Sequence, residues 1–89
     1  MLKQRAAKVL ASVLSRFHEL DIKYGQGCYL YDNDDVAFLD FGSGIAVTST
    51  GHCHLDVVTA VQKQVSELIH PCIAVGNTEV VVDCAEKIV

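Results

Sequence analysis

The sequence predicts a mixed α and β piece, locally α+β, ordered as helix, hairpin, glycine loop, helix, loop and helix. Three observations predict it. Apolar residues recur at helical spacing near both ends of the chain. Two short alternating runs flank a turn of aspartates and asparagine. Glycine and proline punctuate the intervals between these segments.

The first helix is predicted over Lys3 to His18, where Ala6, Leu10, Val13, Leu14 and Phe17 fall on one face. From Ile22 the pattern changes, and Gly25 and Gly27 punctuate it. Residues 28–41 predict an antiparallel hairpin. Cys28-Tyr29-Leu30-Tyr31 and Val36-Ala37-Phe38-Leu39 are its strands, and it turns at Asn33 to Asp35. Short acidic and amide side chains bond their own backbone and tolerate positive φ, which suits the turn. Gly42-Ser43-Gly44 opens a loop that runs to Gly51. A second helix is expected over Leu55 to Ile69, with Val58, Val61, Val65 and Leu68 aligned. Pro71 and Gly76 bracket a loop. Asn77 or Thr78 then caps a third helix carrying Val81, Ala85 and Ile88, and no stop signal follows Val89. The chain reads as cut rather than finished.

A chain of 89 residues holds at most one small domain. Yet 51% of it is hydrophobic and its mean hydropathy is +0.30. That excess predicts surfaces that meet further protein. Net charge is −4 with no basic block, which argues against nucleic acid. No apolar run is long enough to span a bilayer. Without a secretory signal, Cys28, Cys53, Cys72 and Cys84 read as reduced thiols of a cytoplasmic protein. Lys3, Arg5, Lys8 and Arg16 precede the first acidic residue, Glu19, so a mitochondrial leader is the alternative to an ordinary amphipathic helix.

Motifs carry little chemistry by themselves. Gly51-His52-Cys53-His54, with His70, Cys72 and Cys84, offers zinc-type ligands, but not at the spacing of zinc modules. Gly42-Ser43-Gly44 is too short for a phosphate loop. Asp32, Asp34 and Asp35 lack the spacing of a calcium loop.

The ordered combination is more specific. It comprises Gly25-Gln-Gly-Cys-Tyr-Leu-Tyr-Asp32, Phe38 to Val47, Thr50-Gly-His-Cys-His54, Val57-Val58, Gln64, Leu68-Ile-His70 and Ala85 to Val89. Together these resemble the N-terminal region of the class III pyridoxal-phosphate-dependent aminotransferases. That family includes the 4-aminobutyrate, acetylornithine, ornithine and β-alanine transaminases. Residues from Ser12 to Ile22 fit more loosely.

The resemblance implies an α/β fold of the aspartate-aminotransferase type (fold type I), of which residues 1–89 are an incomplete N-terminal portion. It implies pyridoxal 5′-phosphate as cofactor, an amino donor and a 2-oxo acid as substrates, and a homodimer as the complete enzyme. It places Ser43, Gly44 and Ile45 at the substrate entrance, with Ile45 toward the donor side chain; a plain core position is the competing reading for Ile45. The ornithine enzymes place a tyrosine there, so isoleucine points away from an ornithine-type donor. Two residues depart from the pattern: Leu55 replaces the usual proline, and Asp34-Asp35 replaces Asp-Gly, making Asp35 a strained position. No lysine among Lys3, Lys8, Lys23, Lys63 and Lys87 stands in the Schiff-base context, and the phosphate cup is missing. No residue is assigned a catalytic, cofactor-binding or metal-binding role, and the chain alone is expected to be inactive. Other readings are a stand-alone module that binds a full-length transaminase, or a small metal-binding protein.

Overall fold

The computed structural model describes residues 2–16 and 18–89. They form two compact units, divided after Leu55. The first contains helix α1 (Leu2–Val9), strands β1 (Ile22–Gln26), β2 (Tyr29–Asp32) and β3 (Ala37–Leu39), and a single helical turn, α2 (Ser43–Ala46). Helix α3 (Leu55–Glu67) begins at the division, and helix α4 (Glu79–Ile88) completes the second unit.

The hairpin stands as predicted. β2 and β3 pair antiparallel, with Tyr29 opposite Leu39, Leu30 opposite Phe38 and Tyr31 opposite Ala37. Asp32 builds the turn, its Oδ1 accepting from Asp34 N–H at 2.9 Å and Val36 N–H at 3.0 Å. Asp35 is left-handed at φ 59°, the strained position expected of the Asp34-Asp35 turn.

The sheet has a third strand that the sequence reading left as punctuation. β1 lies antiparallel on β2 in the order β1-β2-β3. Its register slips between Ile22 and Tyr24, which marks Lys23 as the irregular position. Tyr24 and Tyr31 stack across the strands with centroids 4.5 Å apart and planes 7° from parallel. Such cross-strand aromatic pairs stabilise a sheet. Alternation puts the tyrosines on one face and Gly25, Leu30, Phe38 and Asp40 on the other.

The first helix is shorter than predicted, ending at Val9 rather than His18. Phe17 lies outside the described residues. A helix this short is held by packing of its apolar face. Here Leu10 is 46% exposed and Val13 87%. Ser12 and Ser15 also offer the backbone competing hydrogen bonds. α3 follows its prediction, ending two residues early, and Leu55 takes the first helical position without difficulty. Thr78 is the N-cap residue of α4, in extended geometry, but its side chain makes no capping hydrogen bond.

Among the described residues none is buried. The chain exposes 8007 Å². A folded monomer of this mass exposes about 5,100 Å², and its two units taken as separate bodies would expose roughly 6,100 Å². The apolar faces of α3 and α4 are formed but uncovered, with Val61, Val65, Val81 and Ile88 all exposed.

Candidate functional site

The site that the structure builds is the loop from Asp40 to His52, fastened at both ends. Asp40 follows β3 and is only 10% exposed at its side chain. Its Oδ1 accepts from Gly42 N–H at 2.8 Å and from Ser43 N–H at 3.0 Å. Its Oδ2 lies 2.6 Å from His52 Nε2. An ionised carboxylate only accepts, so the imidazole nitrogen carries the proton of that bond.

His52 is held on its own account. Its backbone exchanges both hydrogen bonds with Gly27, N–H to O at 2.8 Å and O from N–H at 3.1 Å. Its ring lies against β1, where a Cβ on Gly25 would stand 2.7 Å from His52 Cγ. Glycine at position 25 therefore permits the close approach. The same set of contacts governs charge. The Asp40 carboxyl is held below its ordinary carboxylate value, chiefly by the His52 hydrogen bond and then by the Ser43 and Gly42 amides, with burial opposing.

Between these fastenings the backbone is left-handed over four successive residues. Ser43 has φ 49°, Gly44 60°, Ile45 67° and Ala46 61°. Gly42 O accepts from Ile45 N–H at 2.9 Å and Ala46 N–H at 3.0 Å, and Ser43 O from Val47 N–H at 2.8 Å and Thr48 N–H at 3.1 Å. Left-handed helical geometry costs about 1–2 kcal/mol per non-glycine residue, so a run containing serine, isoleucine and alanine needs outside support. Strain of this kind concentrates at functional positions.

The three residues at the expected substrate entrance thus sit together on one turn. Ile45 is 81% exposed. The sequence reading assigned Asp40 no role and weighed His52 only as a zinc-type ligand. They are twelve residues apart, and the only local signal was an aspartate two residues before a glycine-rich run.

All four cysteines are exposed, rather than the buried thiols that such residues usually make. Among the described residues no three His, Cys, Asp or Glu side chains gather to hold a metal ion.

The chain matches the family model of the class-III aminotransferases over residues 11–89. The chain belongs to the class III aminotransferases. It is 35% identical over 88 residues to the 5-aminovalerate aminotransferase DavT of Pseudomonas aeruginosa, covering 99% of this chain and 20% of that protein. With the 4-aminobutyrate aminotransferase GabT of Escherichia coli it shares 35% identity over 74 residues, covering 83% of this chain and 17% of that one. Among solved structures, the Toxoplasma gondii ornithine aminotransferase superposes with TM-score 0.77 at 25% identity, over 86% of this chain and 18% of that one. The chain therefore spans about a fifth of the length of the relatives it matches. The fold is that of the family's fold type I enzymes.

Class III aminotransferases use pyridoxal phosphate, and the residues described here do not fit that group. The amides of Gly42 and Ser43 are not free for a phosphate, being given to the Asp40 carboxylate. That carboxylate would also repel a phosphate. The five lysines are exposed, Lys3 paired with Glu19 and Lys23 lying 3.9 Å from Asp35. None is enclosed as a Schiff-base lysine must be.

Proposed function

We propose that this chain supplies the substrate-entrance portion of a pyridoxal-phosphate-dependent transaminase. The complete enzyme moves an amino group from an ω-amino acid of the 4-aminobutyrate kind, or an acetylornithine-like donor, to a 2-oxo acid, and works as a homodimer in the cytoplasm. The clamped left-handed turn carries this reading: it holds Ser43, Gly44 and Ile45 together and leaves Ile45 exposed. The relatives named for 4-aminobutyrate and 5-aminovalerate, both donors with an unbranched carbon chain between amine and carboxylate, support an apolar residue at that position. A tyrosine hydroxyl would instead offer a hydrogen bond to a polar donor.

Two experiments test it. The purified chain, mixed with pyridoxal phosphate and reduced with borohydride, is expected to show no stoichiometric lysine adduct; one adduct on one lysine contradicts the assignment of the chemistry to residues beyond this chain. The second replaces the matching segment of the Escherichia coli 4-aminobutyrate enzyme with this chain. The chimera is expected to transaminate 4-aminobutyrate, and Ile45→Tyr in it to lower kcat/KM for that donor by about tenfold, the scale of one misfitted side-chain contact. An unchanged kcat/KM removes Ile45 from the donor site.

A further inference from the structure

We propose that Asp40 and His52 are a positioning pair for the substrate-entrance turn: together they hold Ser43–Ala46 left-handed and so set where Ile45 stands. The proposal rests on reading Ile45 as facing the donor, and it adds residues to which no role has been assigned.

The geometry makes the pair a single device. One carboxylate oxygen of Asp40 takes the two amides that enter the turn, Gly42 N–H and Ser43 N–H. Its other oxygen takes the proton of His52 Nε2. The imidazole thereby fixes the carboxylate plane, and the plane fixes the direction of the two amides. His52 is itself anchored to strand β1 through the paired hydrogen bonds with Gly27. A turn that contains serine, isoleucine and alanine in a conformation disfavoured for all three is thus tied through two side chains to the rigid sheet. Without that tie the right-handed conformations are open to it, and each rotates the Ile45 side chain to another direction. The Asp40 and His52 side chains are only 10% and 18% exposed and are bonded to the turn's amides and to each other, so the pair acts through the turn.

Amide hydrogen exchange of the full chain, read by mass spectrometry, separates this role from plain support of the sheet. Two windows are compared: residues 42–48, and the hairpin residues 29–39. Asp40→Ala removes both functions of the carboxylate and is expected to speed exchange in 42–48 about tenfold or more, with 29–39 unchanged within about twofold. Asp40→Asn keeps an oxygen for the two amides but loses the acceptor for His52 Nε2–H, and is expected to fall between the parent and Asp40→Ala. His52→Ala is expected to fall in the same range. Unchanged exchange in 42–48 for Asp40→Ala or for His52→Ala overturns the proposal. Equal acceleration of both windows also overturns it, because the pair would then support the sheet. So does an Asn variant as fast as the Ala variant. The exchange rates do not depend on any donor, so a failure here leaves the donor reading to the chimera, and a failed chimera leaves this result standing.

Discussion

Asp40 concentrates the physics of this chain in one side chain. It is nearly covered, it bonds three donors, and its carboxyl titrates below the ordinary value because His52, Ser43 and Gly42 all favour the charged form. The direction of the shift fixes the sign of the pH dependence. A group whose folded pKa is depressed adds stability above its unfolded pKa, which for aspartate is about 3.9, and loses it as pH falls through the folded value. Order in the segment 42–52 is therefore expected to be insensitive to Asp40 from neutral pH down to about pH 5, and to decline below about pH 4. Comparing the parent with Asp40→Asn isolates this group from the other carboxylates. The difference in exchange between them, corrected for intrinsic rates, should shrink as the solution is acidified below about pH 4. A difference that grows on acidification has the wrong sign and contradicts the assignment.

At the scale of elements, the hairpin turn offers a direct check on strain. Asp35 holds φ 59° where glycine would be at ease, and its exposed pairing with Lys23 at 3.9 Å adds little. Asp35→Gly is expected to stabilise the hairpin by up to about 1 kcal/mol, read as slower exchange at residues 29–39. Faster exchange would show that the aspartate serves the turn in another way. The hairpin was legible because its determinants are local: alternation in each strand and a polar turn between. α3 was legible because its apolar spacing persists over thirteen residues. β1 was not, because Gly25 and Gly27 read as breaks. Gly25 is there to admit the His52 ring, and Gly27 to pair with the His52 backbone at φ +57°. Those demands come from a residue some twenty-five positions away. The first helix was overextended for the opposite reason. Its periodicity is real, but periodicity does not supply a surface for the face to pack on. The family and the entrance turn were legible from ordered motifs, whereas the Asp40–His52 pair depends on a contact across the loop that no local pattern announces.

Across the whole molecule the balance between apolar content and burial is the deciding fact. Half of the residues are hydrophobic, and none of the described residues is buried. Leaving a few hundred Å² of apolar surface in water forfeits several kcal/mol at roughly 25 cal/mol per Å², as much as the entire stability of a small domain. The secondary structure is formed by local and cross-strand bonds, but the helical faces have nothing to close on within the described residues. Such a chain fits a part of a larger body, as its coverage of about a fifth of its relatives also indicates. Size-exclusion chromatography combined with denaturant unfolding of the purified chain tests this most directly. The account predicts self-association and a broad, weakly cooperative transition. A clean monomer that unfolds cooperatively with more than about 5 kcal/mol would contradict it and would identify the chain as a self-sufficient module.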